Sequence, residues 1–346
     1  MTGLKSREIH LKEYPKGAPT ADLYEIKEVD VREPGEGEVL IRIVWMTVDP
    51  YMRGRMRPDV KSYIPPFQLG EPLDGGAVGQ VVKSKADGFA EGDYVVGFNG
   101  GWREYYTGPA EAYTKVDPNL APLSAYLGVL GMPGMTAWAG VTQIMEPNEG
   151  ETMMVTGAAG AVGSIVCQIG KLKGCKVIGS AGSKEKCDWI TSELGVDVAY
   201  NYKDFDGSSA KLSKFLAEHA PKGIDTYFEN VGGFQLEALI NNIGFAGRIA
   251  LCGMISQYNN TTPEPGPSNL TNLIGRGVLV KGFIVSNYMN MMPQFFAEMG
   301  PWVAGGKVKF RETVYEGLDA APEAFAGLFT GDNTGKVVIR IGPDNA

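Results

Sequence analysis

The sequence predicts an α/β chain: a doubly wound parallel sheet in its second half and a smaller β-rich domain in its first. Three observations carry this. The 346 residues exceed the ~250–300 that one hydrophobic core usually sustains, so two domains are expected. From residue 152 onward short apolar strands alternate with amphipathic helices, six strands in all, the pattern of a parallel sheet covered on both faces. Before that point, short β-rich runs are separated by Gly, Pro and Asp turns such as "PGEG" and "AEGD", which marks a separate β-dominated domain.

In the first half, strands are expected over 38–47, 76–83 and 93–98. Helical signals broken by Gly and Pro follow over 120–145, which puts the domain junction near residue 125. The stretch 152–174, "TMMVTGAAGAVGSIVCQIGKLKG", reads as strand, glycine turn and helix. Val162, Ile165, Val166, Ile169 and Leu172 follow helical spacing and predict one apolar stripe. Lys171 and Lys173 in the last turn and Gly174 after it suit a helix C-terminus. Gly157, Gly160 and Gly163 recur every third residue. A dinucleotide pyrophosphate must come close enough to receive N–H bonds at a helix N-terminus, where a β-carbon would obstruct it. The turn is therefore a candidate phosphate cradle, although the first glycine of the G-x-G-x-x-G pattern falls on Ala158. Taken alone, the same residues also fit a strand, turn and helix that bind no nucleotide.

Beyond the turn, strands are expected over 176–182, 197–202, 224–232, 247–253 and 278–285, with a helix over 183–194 for which Ser183 is a candidate N-cap. The loop 256–270, rich in Asn, Thr and Pro, is too long for a tight connection and fits either an active-site or interface loop or an exposed insertion. After a helix over 290–304, the tail reads strand, helix, strand. Its β character is like that of the first half, so the chain is expected to return there.

A site selective for NAD places an acid at the end of the second strand to hold the ribose hydroxyls. Here that position reads Ser180-Ala181-Gly182-Ser183-Lys184. Ser183, Lys184 and Lys186 offer a hydroxyl and two cations, which attract the additional phosphate of NADPH where a carboxylate would repel it. The two lysines also fit a solvated helix face balanced by Glu185.

Composition narrows the partners. With 44% hydrophobic and 21% charged residues the chain reads as an ordinary globular protein, and no apolar run approaches the ~18 residues of a membrane span. The first fourteen residues carry five charges and no apolar core of a secretory signal, so a cytoplasmic location is expected. A net charge of −8 provides no footprint for nucleic acid. Cys167, Cys175, Cys187 and Cys252 are irregularly spaced, supporting neither a disulfide framework nor a zinc site, and Cys167 reads as a core residue. His10 and His219 are the only histidines and neither lies near a cysteine in sequence, which argues against a catalytic zinc.

Several segments together are similar to one family: "VDPYMRGRM" (48–56), "GMPGMTAWAG" (131–140), the turn and helix of 155–174, "ENVGG" (229–233), "GRIALCGMISQYN" (247–259), "GFIVSNY" (282–288) and "GDNTGKVVI" (331–339). Nearly end to end, the chain resembles the zinc-independent medium-chain dehydrogenase/reductases, and within them the NADPH-dependent alkenal/enone double-bond reductases. The zinc enzymes of that superfamily carry a cysteine where this chain has Asp49-Pro50 and a Gly-His-Glu where it has Gly70-Glu71-Pro72.

The resemblance implies a GroES-like domain built from 1–125 and 306–346 around a Rossmann domain over 126–305. It implies cofactor contacts from Gly157, Gly160, Ala161, Val162 and Gly163 on the turn, and from Ser183, Lys186 and Tyr202 at the 2′-phosphate. Asn230 is expected beside the ribose, Cys252 nearby, the backbones of Phe283 and Val285 at the nicotinamide, and Asn333 near the pyrophosphate. A homodimer, through edge pairing of "VLVKGFIV", is also implied.

Reduction of a double bond conjugated to a carbonyl requires a hydride at the β-carbon, a donor for the enolate oxygen and a proton at the α-carbon. NADPH supplies the hydride. A tyrosine hydroxyl, with an ordinary pKa near ~10, stays protonated at neutrality and can donate to the developing oxyanion. Tyr258 matches the family tyrosine in that role, with the cofactor ribose hydroxyl as second donor by resemblance and the last proton from water or from Tyr258. Tyr51 is carried over as a pocket wall, with Met132 and Tyr288 as further lining. Arg53, Arg55 and Arg57 read as a solvated turn, and Glu71 and Asp74 as structural. The expected activity is thus enone or alkenal reduction, with quinone reduction or non-catalytic NADPH binding as alternatives.

Overall fold

The computed structural model describes residues 2–346, which divide into two compact units. One comprises residues up to Gly131 with Glu312–Asn333 and Val337–Ala346; the other comprises Met132–Arg311 with Thr334–Lys336.

In the first unit, β1 (Lys5–Leu11) and β2 (Tyr24–Asp30) pair antiparallel. β3 (Glu38–Thr47) is followed by the short helix α1 (Met52–Arg55) and by β4 (Ala77–Ser84), β5 (Tyr94–Gly97), β6 (Tyr105–Pro109) and β7 (Tyr113–Lys115). The expected strands over 38–47, 76–83 and 93–98 correspond to β3, β4 and β5. The β1–β2 hairpin has no counterpart in the sequence reading, because charged residues interrupt its alternation.

The second unit opens with α2 (Met132–Gly140), which widens into a π-helical turn over Val141–Met145. Then come β8 (Thr152–Val155), α3 (Gly163–Leu172), β9 (Lys176–Ala181), α4 (Lys184–Ser192), β10 (Val198–Asn201), α5 (Ser209–His219), β11 (Ile224–Glu229), α6 (Gly233–Asn242), β12 (Ile243–Leu251), α7 (Thr271–Gly275), β13 (Leu279–Gly282) and α8 (Met292–Ala304). The chain closes with β14 (Glu312–Glu316), α9 (Ala321–Thr330) and β15 (Lys336–Arg340).

The six strands of the second unit form one sheet, ordered β10-β9-β8-β11-β12-β13, and every pairing in it is parallel. The strand order reverses between β8 and β11, and a ligand of an open α/β sheet binds outside the carboxyl ends at such a switch point. One face of this sheet buries Met154, Ile178, Tyr227 and Ile249 in a common cluster with Leu212 and Leu216 of α5 and Leu239 of α6. The first unit's sheet runs β14-β15-β3-β4-β5-β7, with β6 also paired to β3. Its core gathers Ile41, Ile43, Met46, Trp102 and Phe325.

Two expectations are corrected. The stripe on α3 buries Ile165, Val166 and Ile169, but Leu172 is 41% exposed at the helix end; Cys167, Gln168 and Gly170 are buried instead, because this helix is covered on more than one side. Arg53 and Arg55 do not form a solvated turn, since both are buried. Arg53 donates from Nη2 to the Gly17 carbonyl at 2.9 Å. Arg55 lies 3.9 Å over the Phe67 ring and grips Asp74 with both terminal nitrogens, one bond measuring 3.0 Å. This is also the structural role expected of Asp74.

Among the described residues, no helix is long and apolar enough to cross a membrane.

Candidate active site

Thr156 follows β8 directly, and the chain then turns through Gly157, whose φ of +60° lies in the region that favours glycine. Gly160 N–H closes the turn on the Gly157 carbonyl at 2.9 Å. Gly163 opens α3, and a β-carbon there would stand 2.3 Å from the Gly157 carbonyl oxygen and 3.0 Å from Ala158 Cα. Backbone occupies that space, so only glycine lets helix and strand come this close. The substitution at Ala158 is compensated from elsewhere. Its fully buried methyl lies where a β-carbon on Gly179 of β9 would come within 3.0 Å, and its N–H donates to the Ser180 carbonyl at 2.8 Å. No side chain caps α3; Ser164 N–H and Ile165 N–H turn back to the Gly160 and Val162 carbonyls at 3.1 Å, so the donors left for an anionic ligand are the N–H groups of Ala161, Val162 and Gly163. A second stretch completes the rim: Gly335 donates to the Ala159 carbonyl at 2.7 Å and forms a parallel bridge with Gly160. The cradle thus fits a pyrophosphate.

At the end of β9, Ser183 caps α4 by accepting the Lys186 N–H at 3.3 Å. Tyr202, in a helical turn just after β10, packs where a β-carbon on Gly182 would approach its ring and hydroxyl to 3.2 Å. Lys184 is drawn away, its ammonium held 2.5 Å from Asp188 one turn along α4. Ser183, Lys186 and Tyr202 therefore flank the strand tip, and no carboxylate stands in the tip segment 180–184.

The switch point is held by one buried carboxylate. Glu229, the last residue of β11, is fully buried. It accepts from the Thr156 hydroxyl at 2.6 Å, from the Val231 N–H at 2.6 Å and from the Tyr227 hydroxyl. Burial pushes its pKa up, and these donors pull it partly back. Thr156 Oγ1 in turn accepts the Asn230 N–H at 2.9 Å, while Asn230 Nδ2 donates to the Thr156 carbonyl at 2.7 Å. The Glu229 carbonyl receives the N–H groups of Cys252 and Gly253, each at 3.0 Å.

Beyond β12, the turn bearing Tyr258 hangs from this loop. Ile255 N–H donates to the Asn230 carbonyl and Ser256 N–H to that of Val231, both at 3.1 Å. Met254 N–H donates to Tyr258 Oη at 3.1 Å, which leaves the hydroxyl hydrogen free to point elsewhere. Burial raises the phenol above its ordinary 10.0, opposed by that N–H bond. Burial likewise pushes the Cys252 thiol up to about 12, so it is no nucleophile at neutrality. Phe283, whose N–H reaches the Leu251 carbonyl at 3.3 Å, sets its ring edge-on between Phe228 and Tyr288. Val285 begins the next helical turn. Met132 opens α2 and receives the Thr136 hydroxyl on its carbonyl.

The structure thus gathers Gly157, Gly160, Ala161, Val162, Gly163, Asn230, Cys252 and Tyr258 at the carboxyl ends of the central strands, with Phe283, Val285 and Tyr288 following the next one. Tyr51, half-buried at the start of α1, and Asn333 belong to the first unit. Sequence reasoning missed Thr156 and Glu229 as parts of the site, and the available signal was a lone acid closing an apolar strand beside "NVGG". Among the described residues, no group of three or more His, Cys, Asp or Glu could hold a metal ion.

Comparison with known proteins finds relatives over the whole chain. Residues 7–116 match the family model for the N-terminal domain of oxidoreductase, and residues 161–302 the model named zinc-binding dehydrogenase. The NADPH-dependent curcumin reductase of Escherichia coli is 42% identical over 346 residues, covering 99% of this chain and 98% of that protein. The NADP(+)-dependent 2-alkenal reductase of Nicotiana tabacum is 42% identical over 342 residues, 98% of both. The crystal structure of CurA from Vibrio vulnificus in complex with NADPH superposes with a TM-score of 0.91 at 41% identity, over 98% of this chain and 100% of that one. The Escherichia coli quinone oxidoreductase, at 20% identity and a TM-score of 0.77, shares the fold.

Proposed function

The chain belongs to the NADPH-dependent alkenal/enone reductases of the medium-chain dehydrogenase/reductase superfamily, and on that premise we propose that it reduces the carbon–carbon double bond of α,β-unsaturated ketones and aldehydes. The observation that carries the reading is the Tyr258 hydroxyl. It accepts a backbone N–H and so keeps its own proton for an acceptor, which is what a developing enolate oxygen requires. The glycine cradle and uncapped helix would hold the pyrophosphate, and Ser183, Lys186 and Tyr202 the 2′-phosphate. NADPH supplies a hydride when bound. Asn230 would orient the ribose, and the backbones of Phe283 and Val285 the nicotinamide. Met132 and Tyr288 of the second unit would line the substrate pocket.

We also infer a homodimer formed by edge pairing of β13. This strand ends the sheet with Leu279 and Val280 exposed, beside Ile274 and Phe245, which are 84% and 82% exposed, an apolar edge that a second copy would cover. Sedimentation at micromolar concentration should give a dimer.

The activity is tested by following NADPH consumption against a ladder of enones, alkenals and quinones, with NADH in parallel. Turnover of enones with NADPH is expected. Turnover of quinones alone would select the quinone reductase reading, and tight NADPH binding without turnover of any acceptor would select a binding protein.

A further inference from the structure

Glu229 stands out because its surroundings make a carboxylate expensive. It is fully buried and forms no ion pair among the described residues, and a buried charge is a poor source of net stability. Its two oxygens meet only donors: the hydroxyls of Thr156 and Tyr227 and the N–H groups of Val231 and Gly232. Tyr227 precedes it by two residues on β11 and shares its face, while Thr156 lies at the end of the neighbouring β8. The carboxylate therefore ties two strand ends together at the switch point.

What it fixes is a set of site groups rather than a core. Because the Thr156 hydroxyl gives its hydrogen to Glu229, its oxygen faces the Asn230 N–H as a pure acceptor. Asn230 and Val231 then offer their carbonyls to Ile255 and Ser256, so the turn that carries Tyr258 is suspended from the residues Glu229 holds.

We propose that Glu229 is a positioning residue for the reaction, acting through Thr156 and the 230–231 loop to fix Asn230 for the cofactor and Tyr258 for the enolate. The inference rests on the reading of those two residues as site groups. A carboxylate suits the role because it accepts at every position and donates at none. An amide of the same shape would aim N–H hydrogens at one of these donors and reverse the direction of the chain.

The test compares Glu229→Gln with Thr156→Val, both near-isosteric, in the full-length protein, with melting temperature measured alongside NADPH Kd by fluorescence titration and kcat with a saturating enone. Each variant is expected to lower kcat about tenfold and to weaken NADPH several-fold, the scale of one lost hydrogen bond to a charged group. The double variant should fall no further than the worse single one, since both cut the same chain. Lowered melting temperature with kcat and NADPH Kd within about twofold of wild type would reduce Glu229 to a structural residue and overturn the proposal. Tyr258→Phe run in parallel separates the two ideas. If it loses kcat and the Glu229 and Thr156 variants do not, only the positioning role falls. If it keeps full kcat, the reading of Tyr258 falls, and NADPH Kd through Asn230 alone decides the role of Glu229.

Discussion

Tyr258→Phe removes one oxygen that accepts a backbone hydrogen bond in the fold and that we propose donates another to the substrate. As a donor, the hydroxyl is expected to stabilise the developing enolate. Loss of one oxyanion donor in a water-excluded site costs ~3 kcal/mol of transition-state stabilisation, or about a hundredfold in kcat. As an acceptor, Tyr258 Oη takes the Met254 N–H at 3.1 Å, and in the phenylalanine variant that half-buried N–H loses its partner at a cost of ~1 kcal/mol. For a chain of this size, that lowers the melting temperature by about 2 °C. The two effects separate in assay. Single-turnover loss of NADPH absorbance measures the chemical step, and calorimetry measures stability. The expected result is a hundredfold slower chemical step, unchanged NADPH affinity and a small drop in melting temperature. A chemical step within about twofold of wild type, with the drop in melting temperature present, would show that the hydroxyl serves the Met254 turn alone, and would refute its role as oxyanion donor.

Tyr258 also sets a pH dependence. A donor must be protonated, and burial raises this phenol above 10.0, so kcat should stay level through neutral pH and fall only as pH rises above 10; an alkaline limb centred near pH 8 that persists in Tyr258→Phe would assign the titration to another group. Gly163→Ala places a methyl 2.3 Å from the Gly157 carbonyl oxygen, and opening the turn by the ~1 Å needed for ordinary contact should raise NADPH Kd at least tenfold, ~1.4 kcal/mol, as read by titration. Arg55→Met removes the grip on Asp74 and a 2.9 Å bond to the Pro65 carbonyl. With Asp74 partly solvated the loss should be ~2 kcal/mol in denaturant unfolding, with NADPH affinity unchanged because the pair lies in the first unit.

What could be read from the sequence was whatever a residue requires of its immediate neighbours. Alternation and glycine punctuation located β8 through β13 because each strand carries its own apolar run, and Ser183 was legible as a cap because capping is settled within four residues. Gly163 was legible as a cradle glycine for the same reason: the backbone it must avoid lies only six residues earlier. Where the requirement is long-range, the pattern misled or stayed silent. Ala158 looked like a flaw in the fingerprint, yet the room for its methyl comes from Gly179 on the next strand. Arg53 and Arg55 read as solvated because three arginines in five residues usually are, but carbonyls at Pro15, Gly17 and Pro65 and the carboxylate of Asp74 take up their donors. Glu229 is the plainest case. In sequence it is an acid closing an apolar strand; in the fold it is a carboxylate that meets a hydroxyl 73 residues away and, through it, the loop that bears Tyr258. The cofactor cradle is therefore a local device that a sequence displays openly. The alignment of the reacting groups depends on pairings between strand ends, which exist only once the parallel sheet has formed.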